Sequence, residues 1–251
     1  ESINEYILIE LSFTLPQIDD KICYVTHANS VKENRLDPRF YKKHYIEFEK
    51  MLNSRSDVEP ISKISDDVNS GSTPKSGGDA YTTKEDGGVP FIRIVNISHG
   101  KINLKNVLYI KRNIHEKMLK RTQLKPNDVL LSIAGTIGVS VVVPKEISEA
   151  NINQALVKLT LKDGVNPHYI SAILNSPIGR MQTDRFSRPS VQTNINLAEI
   201  SALKIPLTKD TEQNRIAKEI QSRFEIVENL RSEGENILKE AKFRVNKLLL
   251  E

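Results

Sequence analysis

The chain has 251 residues, 38% of them apolar, with a formal charge of +4 and one cysteine, Cys23. A single cysteine excludes an intrachain disulfide framework and a cysteine-ligated zinc site, and it points to a reducing, cytoplasmic setting. No apolar run approaches the roughly 18 to 20 residues of a membrane span, and Ser2 to Leu15 carries Glu5 and Glu10 in place of a basic flank, so neither membrane partner nor secretory leader is expected. The start at Glu1 instead of Met suggests trimming or excision from something longer.

Ser2 and Glu5 spell a capping box ahead of Ile3, Tyr6, Ile7 and Leu11, which predicts a short amphipathic helix ending near Pro16. Ile22 to Thr26 reads as a strand, and Leu36-Asp37-Pro38 starts a helix through Tyr41, Tyr45, Phe48 and Leu52. Residues 1–58 are thus expected to form an N-terminal connector with amphipathic helices. From there to residue 208 the texture is β-rich and broken by turns, opening with a long Gly-rich polar loop from Asn69 to Gly88. Strands are predicted at Val89–Ile97, Val107–Ile110, Val129–Ile133, Val139–Val143 and Leu156–Leu161. Helices are predicted at Asn113–Lys120 and Pro167–Ser176. The fold class is α+β, with an irregular sheet.

From about Glu212 to Leu250 there is no proline, and Ile220, Phe224, Val227, Leu238, Ala241, Val245 and Leu248 follow a 4-3 spacing interrupted at Arg231 and Gly234. That is a coiled-coil seam with a weak centre, in a third region, 209–251, which predicts a long spacer or dimerisation helix. At 1.5 Å per residue it would reach roughly 55 to 60 Å, beyond what the preceding domain can cover. Its seam needs a partner helix, either from a second copy of the chain or from the first 59 residues folded back upon it.

The charge is unevenly placed. Residues 1–59 hold 8 basic and 11 acidic side chains, 60–203 hold 18 and 12, and 204–251 hold 10 and 9. Lys101, Lys105, Lys111, Arg112, Lys117, Lys120, Arg121 and Lys125 fall in one stretch against a lone acid, Glu116. A surface that tracks phosphates needs such a cluster, because each cation near a backbone phosphate releases condensed counterions. A solvated face on an ordinary basic protein would be spelled the same way.

Catalytic patterns are weak by comparison. Asp37-Pro38-Arg39-Phe40 imitates the loop of an N6-adenine methyltransferase, but it lacks the second proline and no glycine-rich cofactor turn accompanies it. Gly135-Thr136-Ile137-Gly138 has no lysine to make it a phosphate loop. Glu240-Ala241-Lys242 has the spelling of a nuclease motif, yet it lies on the long helix, where ion-pair patterning accounts for it. His27, His44, His99, His115 and His168 show no metal-ligand spacing, and Cys23 beside Ile22 reads as packing. No cofactor is expected.

Six elements in fixed order carry a resemblance over about 145 residues. They are Gly71-Ser72-Thr73-Pro74, Val89-Pro90-Phe91-Ile92-Arg93, Leu130-Leu131-Ser132-Ile133-Ala134-Gly135-Thr136-Ile137-Gly138, Asn151-Ile152-Asn153-Gln154, Ile205-Pro206-Leu207 and Glu212-Gln213. Together they resemble the target recognition domain of type I restriction-modification specificity subunits, with 59–208 as that domain. A full specificity subunit carries two such domains, and this chain has room for one. It therefore resembles a half-subunit, or the recognition tail of a fused restriction-methylation polypeptide.

The resemblance implies a non-catalytic partner of double-stranded DNA and of N6-adenine methyltransferase subunits, with a restriction or translocase subunit as a further partner of such systems. Two copies joined through the long helix at Ile220, Phe224, Val227, Leu238, Val245 and Leu248 would read a split palindromic site. The candidates for DNA contact are Lys75, Lys84, Arg93, Lys101, Arg112, Lys120, Arg121, Arg185, Arg188 and Gln192; arginine and glutamine suit base edges and lysine suits phosphates. Arg93 has a rival reading, because its strand is otherwise apolar and it could pair with an acid inside the domain. Asn151, Asn153 and Gly135 read as turn and scaffold residues. Two alternatives stand beside recognition: a fused methyltransferase-endonuclease whose catalytic part lies elsewhere, and a coiled-coil assembly scaffold that does not read DNA.

Overall fold

Ser2 opens the first helix, α1 (Ile3–Glu10), in the way its capping box predicts: its Oγ accepts from the Glu5 amide at 3.2 Å, and Glu5 Oε2 accepts from the Ser2 amide at 2.7 Å. In this computed structural model the described residues are 2–18, 25, 31, 35–75, 79–98, 100–187 and 194–250, with side chains described through 246. The strand predicted at Ile22–Thr26 lies outside them, apart from Val25. α1 ends earlier than Pro16, where Ser12 turns the chain at φ 49°. The second predicted helix is divided. Asp37 caps a 3-10 turn, Pro38–Tyr41, by accepting from the Phe40 amide at 3.1 Å, and α2 (Lys43–Ser54) starts after an extended Lys42.

The rest of the chain runs β1 (Val58–Pro60), α3 (Ile61–Ile64), β2 (Ser65–Ser70), β3 (Tyr81–Thr82), β4 (Val89–Ile92), β5 (Ile97–Ser98), β6 (Lys101–Ile102), β7 (Leu108–Ile110), β8 (Val129–Ser132), β9 (Ser140–Val142), β10 (Asn151–Ile152), β11 (Leu156–Leu161), α4 (Pro167–Asn175), α5 (Pro177–Phe186), α6 (Leu197–Ser201), β12 (Lys204–Pro206) and α7 (Asp210–Leu250). The predicted strand Val89–Ile97 is broken by a 3-10 turn at Ile94–Asn96. The helix predicted at Asn113–Lys120 is a π-helical turn, Ile114–Met118, followed by a 3-10 turn, Lys120–Thr122.

Two four-stranded sheets, in the orders β2-β11-β8-β9 and β10-β4-β7-β3, form the middle of the domain. The first is antiparallel throughout, and in the second β10 joins β4 in parallel. Strand alternation assigns the faces. Val129, Leu131, Val157 and Leu159 of the first sheet pack on the helical side, with Tyr169, Ile173 and Ile216. Its opposite face gives Leu130, Val141 and Leu156 to a second cluster with Ile92 and Ile152 of the other sheet. The outer face of that sheet carries Val89, Phe91 and Ile110, covered by Leu119 and Ile114. The layers are therefore helices, sheet, sheet and, outermost, the helical turns 114–122.

β1 pairs antiparallel with β12, so the chain enters and leaves the domain on neighbouring strands. Tyr6, Ile7, Leu11, Phe13, Phe48 and Leu52, all from the expected connector, belong to the same core as Ile205 and Ile220. Residues of 1–58 are in this way built into the domain.

Candidate nucleic-acid interface

The sequence motifs spaced over 145 residues meet in space. Gly71 ends β2 and donates its amide to Leu156 O at 3.0 Å; a Cβ there would lie 2.2 Å from Asn153 O, so only glycine permits this approach. Thr73 Oγ1 donates to Gln154 Oε1. The Asn153 amide donates to Ile92 O at 3.1 Å, which joins the Asn-x-Asn-Gln element to the Val-Pro-Phe-Ile-Arg strand. Ile133 donates to Ala155 O at 2.9 Å. The turn at Gly138 (φ 81°) seats on α5, where Arg180 donates to Ile137 O at 2.6 Å. The exit motif is anchored as well. Tyr169 Oη donates to Pro206 O at 2.6 Å, and burial raises its pKa above the ordinary tyrosine value. Gln213 is buried, accepts from the Asn166 amide at 3.0 Å and donates to Thr208 O at 2.8 Å, which fixes the root of α7 to the start of α4. The motifs are the joints of the fold.

On this frame the part of the basic stretch on the turns 114–122 forms the outermost layer, whereas Lys101, on β6, lies beside α7. Lys117, Lys120, Arg121 and Lys125 are exposed, while Ile114, His115, Leu119 and Thr122 turn inward. Ion pairs among the described residues engage Lys101 with Glu228, Lys111 with Asp79, and Arg112 with Glu149 at 2.7 Å and Glu116 at 3.9 Å. The Arg112 guanidinium holds the Glu149 carboxyl below its ordinary pKa. No such pair engages Lys75, Lys84, Lys117, Lys120, Arg121 or Lys125 among the described residues, so these cations are available to an outside anion.

The predicted contact residues separate accordingly. Lys75, Lys84, Lys120 and Arg121 are exposed without an intramolecular ion pair; Lys101 and Arg112 are exposed but paired. Arg93 is half-buried, and among the described residues neither its Nε nor the Oδ1 of nearby Asn153 has a hydrogen-bond partner. Its rival reading, an acid partner inside the domain, finds none among the described residues. Arg188 and Gln192 lie outside the described residues.

Arg185 does not fit the expected contact. Its guanidinium is buried, bridges to Glu49 at 2.9 Å, donates to Phe40 O at 3.1 Å and lies 4.3 Å from the centroid of the Phe40 ring, which Arg35 also approaches at 4.6 Å. A desolvated, stacked and paired arginine is a joint between α5 and the N-terminal segment. The same joint absorbs Asp37 and Phe40 of the methyltransferase-like spelling, since Asp37 pairs with Arg35 at 2.7 Å.

The seam residues also divide. Ile220 is 3% exposed and belongs to the core, and Phe224 is half-buried against it. Val227, Leu238 and Val245 are 53%, 55% and 54% exposed. Leu248 lies on α7, beyond the described side chains. A groove of about 1330 Å³ runs between α1, α4, β6 and the first half of α7, lined by Ile3, Ile7, Ile102, Ala172 and Phe224. Among the described residues no group of three or more His, Cys, Asp or Glu side chains could hold a metal ion, and no helix is long and apolar enough to cross a membrane.

Residues 57–238 match the family described as the type I restriction modification DNA specificity domain. The chain is 25% identical over 162 residues to the type I restriction enzyme EcoBI specificity subunit of Escherichia coli, an alignment that covers 64% of this chain and 33% of that protein. The HsdS subunit from Thermoanaerobacter tengcongensis superposes with a TM-score of 0.52 at 16% identity, over 75% of this chain and 46% of that one. A chain of a type I R-M system gives 0.53 at 17% identity, over 76% and 48%. The type IIG restriction endonuclease BpuSI gives 0.56 at 10% identity, over 73% and 28%. The chain thus spans about a third of the curated relative and less than half of each of these structures, and these likenesses extend to the fold alone. With its motifs assembled at the joints of the domain and 57–238 matched as a unit, the chain belongs to the type I restriction modification DNA specificity domain family.

Proposed function

We propose that this chain is the sequence-reading component of a restriction-modification system, which selects a split DNA site for an N6-adenine methyltransferase and supplies no catalytic residue itself. The observation that carries this reading is the outer layer at 114–122, with its unpaired Lys117, Lys120 and Arg121 mounted on two stacked sheets and the unpaired Lys125 following it. Cations on a rigid base position a duplex through its phosphates, and base edges in the major groove then supply the sequence information. Lys75, Lys84, Lys120 and Arg121 take the phosphate role. Arg93, which has unpaired donor capacity, takes a base or a phosphate. Lys101 and Arg112 reach DNA by exchanging Glu228 and Glu149 for it.

The distal part of α7 is the assembly element of this proposal. Leu230 and Ile237 are exposed and lie one residue ahead of the seam positions Arg231 and Leu238, so the apolar face is wider than a two-helix seam. That width suits a second copy of the chain together with helices of methyltransferase subunits.

Selection of bound duplexes from a random-sequence library, by the purified chain with its methyltransferase partner, tests the proposal. Enrichment of a short split motif is expected, palindromic if two copies assemble. Absence of enrichment with the partner present would overturn it.

A further inference from the structure

Among the described residues Asn151 brings a buried side-chain amide to a sheet face that otherwise carries Tyr81, Val89, Phe91 and Ile110. It stands opposite Phe91 in β10, on the side that carries Val89, Phe91 and Ile110, and it is fully buried. A buried amide needs partners for both ends, and here all of them lie on the helical turns 114–122. The amide orientation that satisfies every group turns Nδ2 toward Thr122 O at 2.8 Å, Thr122 Oγ1 at 2.7 Å and Leu119 O at 3.2 Å, with the carbonyl oxygen accepting from His115 Nδ1 at 2.6 Å. The opposite orientation would set the Asn151 oxygen against two backbone carbonyls. Thr122 Oγ1 donates in turn to Leu119 O at 3.2 Å, and Gln123 Nε2 donates to His115 O at 3.1 Å.

A π-helical turn followed by a 3-10 turn leaves the carbonyls of its last residues without regular helical partners. Asn151 supplies a partner from outside for the Thr122 carbonyl and a further donor for the Leu119 carbonyl, which also accepts from the Thr122 amide at 3.0 Å. The exposed residues of the same turns are Glu116, Lys117, Met118, Lys120 and Arg121, three of the five cationic.

We propose that Asn151, with His115 and Thr122, is a positioning group for the phosphate-contacting turn: it fixes the backbone whose outward cations meet the DNA, without touching DNA itself. This rests on the DNA-recognition reading above. It gives the Asn-x-Asn-Gln element, two of whose residues are buried far from solvent, a role in binding.

The test measures the slope of log affinity against log salt for the full chain on a fixed duplex, with thermal unfolding as a check on folding. The substitution of Lys117, Lys120 and Arg121 together by Ala is expected to reduce the slope by up to about 2 to 3, since each phosphate contact contributes about 0.9. Asn151→Leu, close in shape but without hydrogen bonds, is expected to move the slope in the same direction while the preference for one duplex over another is kept. Thr122→Val should lower it and Thr122→Ser restore it, and this pair decides the matter where Asn151→Leu does not fold. If the triple substitution lowers the slope while folded Asn151→Leu and Thr122→Val leave it unchanged, the positioning role is overturned and the interface stands. An unchanged slope in the triple variant overturns the interface itself.

Discussion

The two halves of α7 carry one repeat and meet opposite fates. Through Phe224 the 4-3 spacing is answered inside the chain: Ile216, Ala217 and Ile220 are buried in the main core, Arg215 pairs with Glu10, and Arg223 lies 4.4 Å from the Tyr6 ring, both partners belonging to α1. From Ile226 onward the same spacing is answered by nothing among the described residues, and Ile226, Val227, Leu230, Ile237, Leu238 and Val245 are all more than half exposed. The fold-back reading of the helix therefore describes the first half alone, and the intermolecular pairing proposed above concerns the second. An eight-residue helix spans about 12 Å, enough to cover the root of α7, whereas the remaining 25 residues extend for about 37 Å. An apolar stripe of that length in water is stabilised only by another surface.

This contrast predicts effects of very different size. Ile220→Ala removes a fully packed side chain and is expected to cost about 2 to 5 kcal/mol in urea unfolding, whereas Leu238→Ala should change the unfolding of the isolated chain by less than about 0.5 kcal/mol. Equal losses at both positions would show that the distal helix is packed within the chain. Leu238→Asp combined with Val245→Asp should dissociate an assembly of two copies, read as a halved mass in light scattering, with the domain's unfolding midpoint kept. At the other end of the molecule, Lys120→Ala with Arg121→Ala should weaken binding to all duplexes alike and lower the salt slope by about 2. A change confined to one sequence would make these residues readers of bases.

The smallest expected effect is that of pH on stability. Burial lowers the pKa of His115 below the ordinary histidine value of 6.5. The unfolded chain therefore takes up protons first on acidification. Stability is expected to fall as pH drops from about 6.5 toward the folded pKa of His115 and to level off below it. His115→Gln should flatten that part of the profile. Near pH 4.5 and below, further loss follows as Glu10 and Glu149 are protonated, since arginine partners lower the pKa of both.

Local patterns were read well where the chemistry is local. The Ser2 capping box, the Ala134–Gly138 turn between paired strands, α4 beginning at Pro167 and the uninterrupted α7 all follow from neighbours a few residues apart. The boundaries failed where tertiary contacts compete with propensity. Phe40 lies between Arg35, five residues before it, and Arg185 of α5, beside the break in the second helix at Lys42, and Asn151 hydrogen-bonds the 114–122 turns, which are π and 3-10 instead of a regular helix. α5 and the short α6 went unread, although Asn166, Ser176 and Asn196 cap α4, α5 and α6 with side-chain hydrogen bonds. Among site residues, charge identified the basic stretch, but composition does not separate a free cation from a paired one. Arg185 and Lys120 look alike in sequence; one is stacked on Phe40 and bridged to Glu49, and the other faces water.

Motif order, helix length and the basic excess between residues 60 and 203 are properties of the linear chain, and they suffice to fix the family and the α+β class. Contacts between residues remote in sequence decided the rest. Burial and pairing depend on which surfaces meet, and the meeting of β10 with the basic turns, of α1 with the root of α7, and of Arg185 with Glu49 spans 29 to about 210 positions along the chain. Periodicity specifies that a helix has an apolar side. Only the folded arrangement decides how much of that side the protein covers with its own residues.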